Sequence, residues 1–203
     1  MAQMMQPYPM PLGFFKQFHV QQPGVTLEIK EKSLSLSGDS FDICIVHPDG
    51  QRVPVFKVKG EALSLSGRKH ISDMQGNHLF DLRKEHLTIH TTYYAEDASG
   101  NKFLEVVSKF SIGSSKAIGK FTNASGKEER LLMKGDFFSR SATITDEATG
   151  VPVANIARSF GGNIGRELFA GKQTYLVNIA PNVDMALVVA MCISLDEKNE
   201  KGK

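Results

Sequence analysis

Two hydrophobic patterns divide this chain. From residue 25 to about residue 180, short segments alternate apolar and polar positions, which is typical of strands with one face in water. Helical periodicity is missing from these residues, so the pattern predicts an antiparallel sheet without intervening helices. The alternation is clearest in VTLEIK (Val25, Leu27, Ile29), FDICIV (Phe41, Ile43, Ile45), LTIHTTY (Leu87, Ile89, Tyr93) and TYLVNI (Tyr175, Val177, Ile179).

The second pattern is the sequence DMALVVAMCISL at residues 184–195. It has no polar residue from Met185 to Ile193, so the element must be buried on all sides. The β-branched residues permit a strand, but the methionines, alanines and leucines favour a helix. Asn182 is the predicted N-cap, with Asp184 in the first turn. The run is far shorter than the roughly 20 apolar residues that cross a bilayer.

Glycines recur at near-constant spacing between the strand-like segments. An LSLSG string also occurs twice, at residues 34–38 and 63–67. A strand pair with its turns takes about the length of one interval, so the spacing predicts five successive hairpins with glycine at positive φ. Five hairpins and one further strand at each end give about twelve strands. The motifs HPDGQ, DMQGN, DASGN, NASGK and EATGV contain these glycines, which are Gly50, Gly76, Gly100, Gly126 and Gly150.

A sheet of this size exposes two edges unless it closes, and a barrel of about twelve strands is too wide for its own side chains to fill. We therefore expect a mainly β fold, a closed antiparallel barrel of about twelve strands around a central hydrophobic C-terminal helix near residues 183–196. The single domain spans residues 24–198 and precedes a charged tail at 199–203. Residues 1–23 are proline-rich and predicted to be mobile, although Phe14, Phe15 and Phe18 could dock on the barrel.

The composition indicates the cellular location of the protein more than its function. Lys and Arg total 24 against 22 Asp and Glu, and the resulting net charge of +2 gives no argument for a nucleic-acid partner. Residues 1–23 lack the apolar core of a signal peptide, and Ala2 stands where myristoylation requires glycine. Cys44 and Cys192 lie in apolar segments, which favours buried reduced thiols, with a disulfide as the alternative. We expect a cytoplasmic protein without a transmembrane span.

No motif indicates catalysis or a bound cofactor. His86 and His90 in HLTIH would lie on one face of a strand but about 13 Å apart, too far to share a metal ion. The G-x-S-x-G elbow of serine hydrolases is absent, although a Ser–His pair brought together by folding stays possible in principle. The glycine-rich SFGGNIG at residues 159–165 lacks the spacing of a phosphate-binding loop and is typical of a connection between strands. We expect no enzyme, no cofactor and no metal site.

The most suggestive charged stretch runs from residue 106 to residue 127 and contains no Asp or Glu. Lysines that face an anionic leaflet could contribute about 1 kcal/mol each to membrane binding. Solvated lysines scattered over strand edges are the alternative. The candidate lipid-binding residues are the lysines of this stretch, Lys109, Lys116, Lys120 and Lys127, and a second basic pair beside a glycine, Arg68 and Lys69.

Four segments resemble the LURP-one-related family: VFKVKG, LSLSGRKHISDMQGNHLFDLR, GDFFSRSATI and, most specifically, IAPNVDMALVVAMCISLDE. The similarity covers about residues 20–198. This family is related to the tubby C-terminal domain and to the phospholipid scramblases. The resemblance therefore implies a twelve-stranded barrel around a hydrophobic C-terminal helix. The family is known mainly from plant defence, without an established catalytic activity, and the palmitoylated cysteine cluster and acidic calcium segment of scramblases have no counterpart in this sequence.

The resemblance also links the chain to lipids, because tubby-like relatives are associated with phosphoinositide membranes and scramblases with bilayers. Together with the acid-free lysine stretch, it favours a non-enzymatic signalling or stress-response module that binds a phosphoinositide or another anionic membrane surface, peripherally at the plasma membrane. A protein-interaction scaffold is the alternative; it would use the N-terminal segment or the glycine-rich loop and would show an exposed apolar patch without a basic rim. An enzyme is the third hypothesis.

Overall fold

The structure is a computed structural model that describes residues 5–32, 40–61, 64–111, 114–136, 141–157 and 174–200. A short 3-10 helix at Lys16–Phe18 comes first, and a long helix, α1 (Met185–Glu200), comes last. Between them lie the strands β1 (Val25–Lys32), β2 (Ser40–Val46), β3 (Arg52–Gly60), β4 (Lys69–Asp73), β5 (His78–Lys84), β6 (Thr92–Glu96), β7 (Lys102–Ser111), β8 (Ser114–Thr122), β9 (Glu128–Asp136), β10 (Ser141–Asp146), β11 (Pro152–Ala157) and β12 (Thr174–Ile179).

The strands pair in chain order, each antiparallel to the next, and β1 closes the sheet by pairing with β12. In this closing pair Val25 lies opposite Ile179, and Lys30 lies opposite Thr174. Closure leaves no strand edge without a neighbour, so the edge problem of a large sheet does not arise. The predicted closed antiparallel barrel of twelve strands is confirmed.

The predicted hairpin turns join β2–β3, β4–β5, β6–β7, β8–β9 and β10–β11, and each of their glycines has a φ between 73° and 87°. The turn at Gly100 shows why Asp precedes the glycine. Asp97 Oδ1 accepts hydrogen bonds from the backbone N–H groups of Ser99 and Asn101, both at 2.9 Å. Because alternate connections of a meander lie at opposite ends, all five turns share one end, which we call the turn end. The opposite end, with residues 64–68 and 85–91, is the loop end.

Helix α1 fills the barrel. Every residue from Met185 to Ser194 is at most 9% exposed, as the apolar sequence requires. The strand residue Gly119 lies against the helix, since a Cβ added there would come within 3.1 Å of Met191 Sδ. The central hydrophobic helix is therefore confirmed, and a wide barrel is packed without an open lumen along this length. No helix among the described residues combines the length and apolar character that a membrane span requires.

The sequence suggested Asn182 as the N-cap of α1, but the N-cap is Asp184. The helix begins at Met185, and Asp184 Oδ1 accepts a hydrogen bond from the backbone N–H of Ala186 at 2.8 Å, which is the bond that an N-cap side chain makes. Asn182 instead has a positive φ of 70° and donates its side-chain amide to the carbonyl oxygen of Tyr8 at 2.9 Å. Asn182 thus shapes the turn that leads into the helix.

Residues 5–24 pack across the turn end, whereas the sequence suggested a mobile lead-in. Leu12 is 2% exposed and Val20 is 4% exposed, so both belong to the core. The segment is held by backbone hydrogen bonds to residues 181–184, including Leu12 N–H to the Asn182 carbonyl at 2.9 Å. Phe14 and Phe15 pack with Phe80 and Phe103 in edge-to-face and stacked contacts. These phenylalanines therefore dock on the barrel.

The sequence predicted a strand over LTIHTTY, residues 87–93, and the first half of this prediction is wrong. Strand β6 begins only at Thr92, and residues 85–91 form a loop. Leu87 has a φ of +62°, which ends any extended pairing at that residue. The alternation of Leu87 and Ile89 therefore does not mark a buried face, because both side chains are exposed.

Candidate functional site

Large apolar side chains project into solvent at the loop end. Leu65 is 95% exposed, Leu87 is 106% exposed and Ile89 is 99% exposed. A single exposed leucine is ordinary, but three at one end of a barrel form a candidate contact surface. Leu87 also holds a left-handed backbone conformation, which costs a non-glycine residue of order 1–3 kcal/mol and is found most often at functional sites.

The loop at residues 64–68 is joined to strand β5, and the loop at residues 85–91 is joined to strand β7. Backbone N–H of Lys84 donates to the Ser66 carbonyl at 2.9 Å, and Arg83 Nε donates to Ser66 Oγ at 3.1 Å. On the other side of the loop, backbone N–H of Ser108 in β7 donates to the Thr91 carbonyl at 2.9 Å. The loop with Leu87 and Ile89 therefore lies beside β7, and the loop with Leu65 lies beside the end of β5. We call these three residues the apolar tips.

A row of lysines lies next to the apolar tips on the outer wall. Lys116 in β8 has two cross-strand partners, Lys109 in β7 and Lys134 in β9. Lys116 and Lys134 are exposed, and Lys109 is placed by its backbone register. Directly opposite residues have Cβ atoms about 4.5–5.5 Å apart, and like charges in such pairs are destabilising. These three positions form the lysine row, an arrangement that an anion would stabilise.

The other two lysines of the acid-free stretch do not join the row. Lys120 lies opposite Glu105 on β7 and Arg130 on β9, so a carboxylate stands beside it. Lys127 lies in a hairpin turn at the turn end, and its Nζ is 2.8 Å from a carboxylate oxygen of Glu129. The four candidate lysines are thus split along the barrel, and of the four, Lys109 and Lys116 occupy the strand positions nearest the loop end.

The second basic pair proposed from the sequence does not offer two surface cations. Lys69 is only 2% exposed because its side chain points into the barrel, with Nζ 6.0 Å from the centre of the Phe41 ring. Arg68 is surrounded by carboxylates: its guanidinium lies 3.7 Å from Asp81, 3.9 Å from Glu96 and 4.0 Å from Glu61. Lys69 is therefore a poor candidate for a lipid contact, and the charge of Arg68 is largely matched within the protein.

The remaining sequence candidates add no chemistry to the loop end. His86 and His90 are exposed in the loop of residues 85–91 rather than on a strand. The glycine-rich stretch at residues 159–165 lies outside the described residues. No disulfide joins Cys44 and Cys192 in the part of the chain that the structure describes; Cys44 is half-buried and Cys192 is buried. Burial raises the pKa of the Cys44 thiol, which lowers its reactivity.

Sequence reasoning missed Lys134 and the apolar tips. The signal for Lys134 was present, since it and Lys116 are equally distant along the chain from Ser125, the middle of the turn that contains Gly126. Residues placed symmetrically about a hairpin turn face each other across the two strands. The apolar tips had no such signal, because their alternation is the same as that of a strand.

Comparisons with known proteins agree with this architecture. The family model described as LURP-one-related matches residues 25–196. The chain is 23% identical to Protein LURP-one-related 15 of Arabidopsis thaliana over 88% of this chain and 82% of that protein, and 23% identical to Protein LURP-one-related 10 over 87% and 91%. The structure also aligns with a crystal structure of an Arabidopsis thaliana protein over 93% of this chain and 99% of that chain, with a TM-score of 0.58 and 18% sequence identity. The two chains therefore share the fold. The chain belongs to the LURP-one-related family.

Proposed function

We propose that this protein is a non-enzymatic module that binds anionic membrane surfaces, phosphoinositide-containing ones among them, through its loop end. The observation that carries the proposal is the pairing of the apolar tips with the lysine row on one end of the barrel. An exposed apolar patch with a basic rim fits the boundary between acyl chains and anionic headgroups. The scaffold alternative predicted an apolar patch without a basic rim.

The magnitudes favour reversible binding. Burying Leu65, Leu87 and Ile89 in the interface is worth roughly 1.5–3 kcal/mol for each side chain. The lysine row adds about 1 kcal/mol per lysine near an anionic surface. Immobilisation of the protein on the membrane opposes both contributions by several kcal/mol, of order 4 or more. The balance supports weak peripheral binding that depends on anionic lipid and on ionic strength.

The filled barrel supports the non-enzymatic part of the proposal. Enzyme sites are usually concave pockets with convergent polar groups, and helix α1 occupies the interior where such a pocket could form. The scaffold alternative loses one of its surfaces, because residues 5–24 are packed on the turn end and Leu12 and Val20 are buried. These observations favour the outer wall and the loop end as the binding surfaces.

Vesicle sedimentation tests the proposal. The wild type is expected to sediment with phosphatidylcholine vesicles that contain a phosphoinositide, and not with phosphatidylcholine alone. Vesicles with phosphatidylserine at equal surface charge separate phosphoinositide recognition from general attraction to anionic lipid. Two variants, Leu87→Ser/Ile89→Ser and Lys116→Glu/Lys134→Glu, are expected to lose most of the binding.

The matched control is Lys16→Glu/Lys127→Glu, which makes the same charge change at two exposed lysines of the turn end. The control is expected to bind slightly less than the wild type, because only its net charge differs. Equal losses in the control and in Lys116→Glu/Lys134→Glu would contradict the loop-end site. Absence of binding by the wild type to every anionic vesicle would contradict the proposed function itself.

A further inference from the structure

Two histidines and an aspartate converge on the outer wall of the β4–β5 hairpin. His70 Nδ1 lies 2.7 Å from Asp81 Oδ1, and His78 Nε2 lies 2.8 Å from the same oxygen. All three potential ligand atoms lie within 4.8 Å of one another. Among the described residues, this is the group of His, Cys, Asp and Glu side chains that is close enough to hold a metal ion. We infer that His70, His78 and Asp81 form a binding site for a divalent transition-metal ion, with zinc as the best match.

The hairpin places the three residues on one face of the sheet. His70 and Asp81 are direct cross-strand partners, so their side chains leave the same face of the sheet. The register shifts between Ile71 and Ser72, and this irregularity turns His78 toward Asp81 although the two are three residues apart on one strand. A site on paired strands is held more rigidly than one on loops.

The ligand chemistry suits zinc. Zinc binds imidazole nitrogen and carboxylate oxygen at about 2.0–2.2 Å, so tetrahedral ligand atoms stand about 3.3 Å apart. The two separations to Asp81 Oδ1, 2.7 and 2.8 Å, are shorter than this value, so the imidazoles would turn outward to admit the ion. Both are exposed enough to turn, since His70 is 40% exposed and His78 is 38% exposed at the side chain. Three protein ligands leave a fourth position open to water, as in zinc sites that are not purely structural.

A carboxylate stands near the outer nitrogen of His70. When Nδ1 of His70 binds the metal, its proton resides on Nε2, which lies 3.8 Å from Glu61 Oε2. A small rotation of the exposed ring would bring Nε2 within hydrogen-bond distance of this carboxylate, which is the contact that orients a metal-bound imidazole. Arg68 opposes a cation, but it approaches the other oxygen of Asp81, Oδ2, at 3.7 Å and leaves Oδ1 for the metal.

Zinc titration of the full-length, chelator-treated protein tests the inference. Competition with a chromogenic chelator measures the affinity and stoichiometry, and Co²⁺ in place of zinc reports the ligand geometry through its absorption spectrum. We expect one ion per chain. His70→Ala and His78→Ala are each expected to weaken binding by more than about tenfold, and Glu61→Gln by about tenfold.

His86→Ala/His90→Ala is the matched control, because both histidines are exposed and stand outside the cluster. It should bind zinc as the wild type does. Zinc should also raise the melting temperature of the wild type and of this control, but not that of His70→Ala/His78→Ala. Equal zinc affinity in the wild type and His70→Ala/His78→Ala, or loss of binding in the control, would overturn the inference. Neither result bears on membrane binding, which rests on other residues.

Discussion

Asp184 links the two ends of the chain, and its removal should separate them. The carboxylate is completely buried beneath the N-terminal segment. Its Oδ2 accepts backbone hydrogen bonds from Phe14 at 3.1 Å and Phe15 at 2.8 Å, while Oδ1 caps helix α1 through Ala186. Burial raises the pKa of Asp184 from 3.8 to about 6, although these backbone N–H groups act in the opposite direction. One side chain thus holds the segment on the barrel and starts the central helix.

The magnitude follows from these contacts. Losing an N-cap costs about 1 kcal/mol, and leaving buried N–H groups without an acceptor costs about 1–3 kcal/mol each. Removal of the buried charge offsets part of this loss, because a pKa rise from 3.8 to about 6 corresponds to a net cost of about 3 kcal/mol for the ionised carboxyl at pH 7. We expect Asp184→Ala to lower the free energy of unfolding by about 2–4 kcal/mol at pH 7. Asp184→Asn keeps one acceptor and should cost less.

The pH dependence gives a sharper test. Because the folded pKa lies above the unfolded value, the folded state holds a proton that the unfolded state has released between about pH 4 and pH 6. The contribution of Asp184 is therefore fully present below about pH 4 and is lost as the pH rises through about 6. Asp73 and Asp97 act oppositely, since side-chain hydrogen bonds from Asn77 and Asn101 lower the pKa of each, and their contribution is lost as the pH falls.

The difference between the wild type and Asp184→Asn isolates this one group. Urea unfolding, followed by circular dichroism at several pH values, should show that the stability advantage of the wild type shrinks by up to about 3 kcal/mol from pH 4 to pH 7. A difference that stays constant over this range would refute the reasoning, because it would mean that Asp184 titrates alike in the folded and unfolded states. A difference that grows with pH would mean that the pKa of Asp184 is lower in the folded state than in the unfolded state, opposite to the prediction.

Two further predictions concern packing. Gly13 has a φ of +135°, and a Cβ there would come within 2.1 Å of Asp184 Cβ. Gly13→Ala should therefore release the N-terminal segment and speed its cleavage by protease. Its control is Gly100→Ala, which should cost only about 1–2 kcal/mol of backbone strain, because nothing lies within 4 Å of the new Cβ. Leu187 is completely buried in the barrel, so Leu187→Ala should lower the free energy of unfolding by about 2–5 kcal/mol in urea, whereas Leu65→Ala should change it by less than about 0.5 kcal/mol.

Most of the fold could be predicted because its signals are local. The turn glycines need positive φ, and the apolar run at 185–193 can only be buried, so strand number, closure and the central helix follow from the chain itself. The loop at Leu87 could not be predicted, because its alternation equals that of a strand and only tertiary packing decides which segments pair.

The candidate sites depend on how the strands are paired residue by residue, and the sequence determines this register only in part. His70 and Asp81 are symmetric about the turn that contains Gly76, so their pairing could be read from the hairpin. The approach of His78 could not, because it depends on an irregularity between Ile71 and Ser72. The inward direction of Lys69 was hidden for a related reason, since neighbouring residues on a strand face opposite sides and the first strand residue was unknown.

A single introduced tryptophan offers the most direct test of which end of the barrel meets a membrane. The chain contains no tryptophan, so Leu87→Trp reports the loop end and Met10→Trp, at a position that is 61% exposed, reports the turn end. With phosphoinositide vesicles that carry brominated acyl chains, the emission of Leu87→Trp should shift to the blue and be quenched, while that of Met10→Trp should not change. Unchanged emission from Leu87→Trp, or equal quenching at both positions, would contradict binding through the loop end.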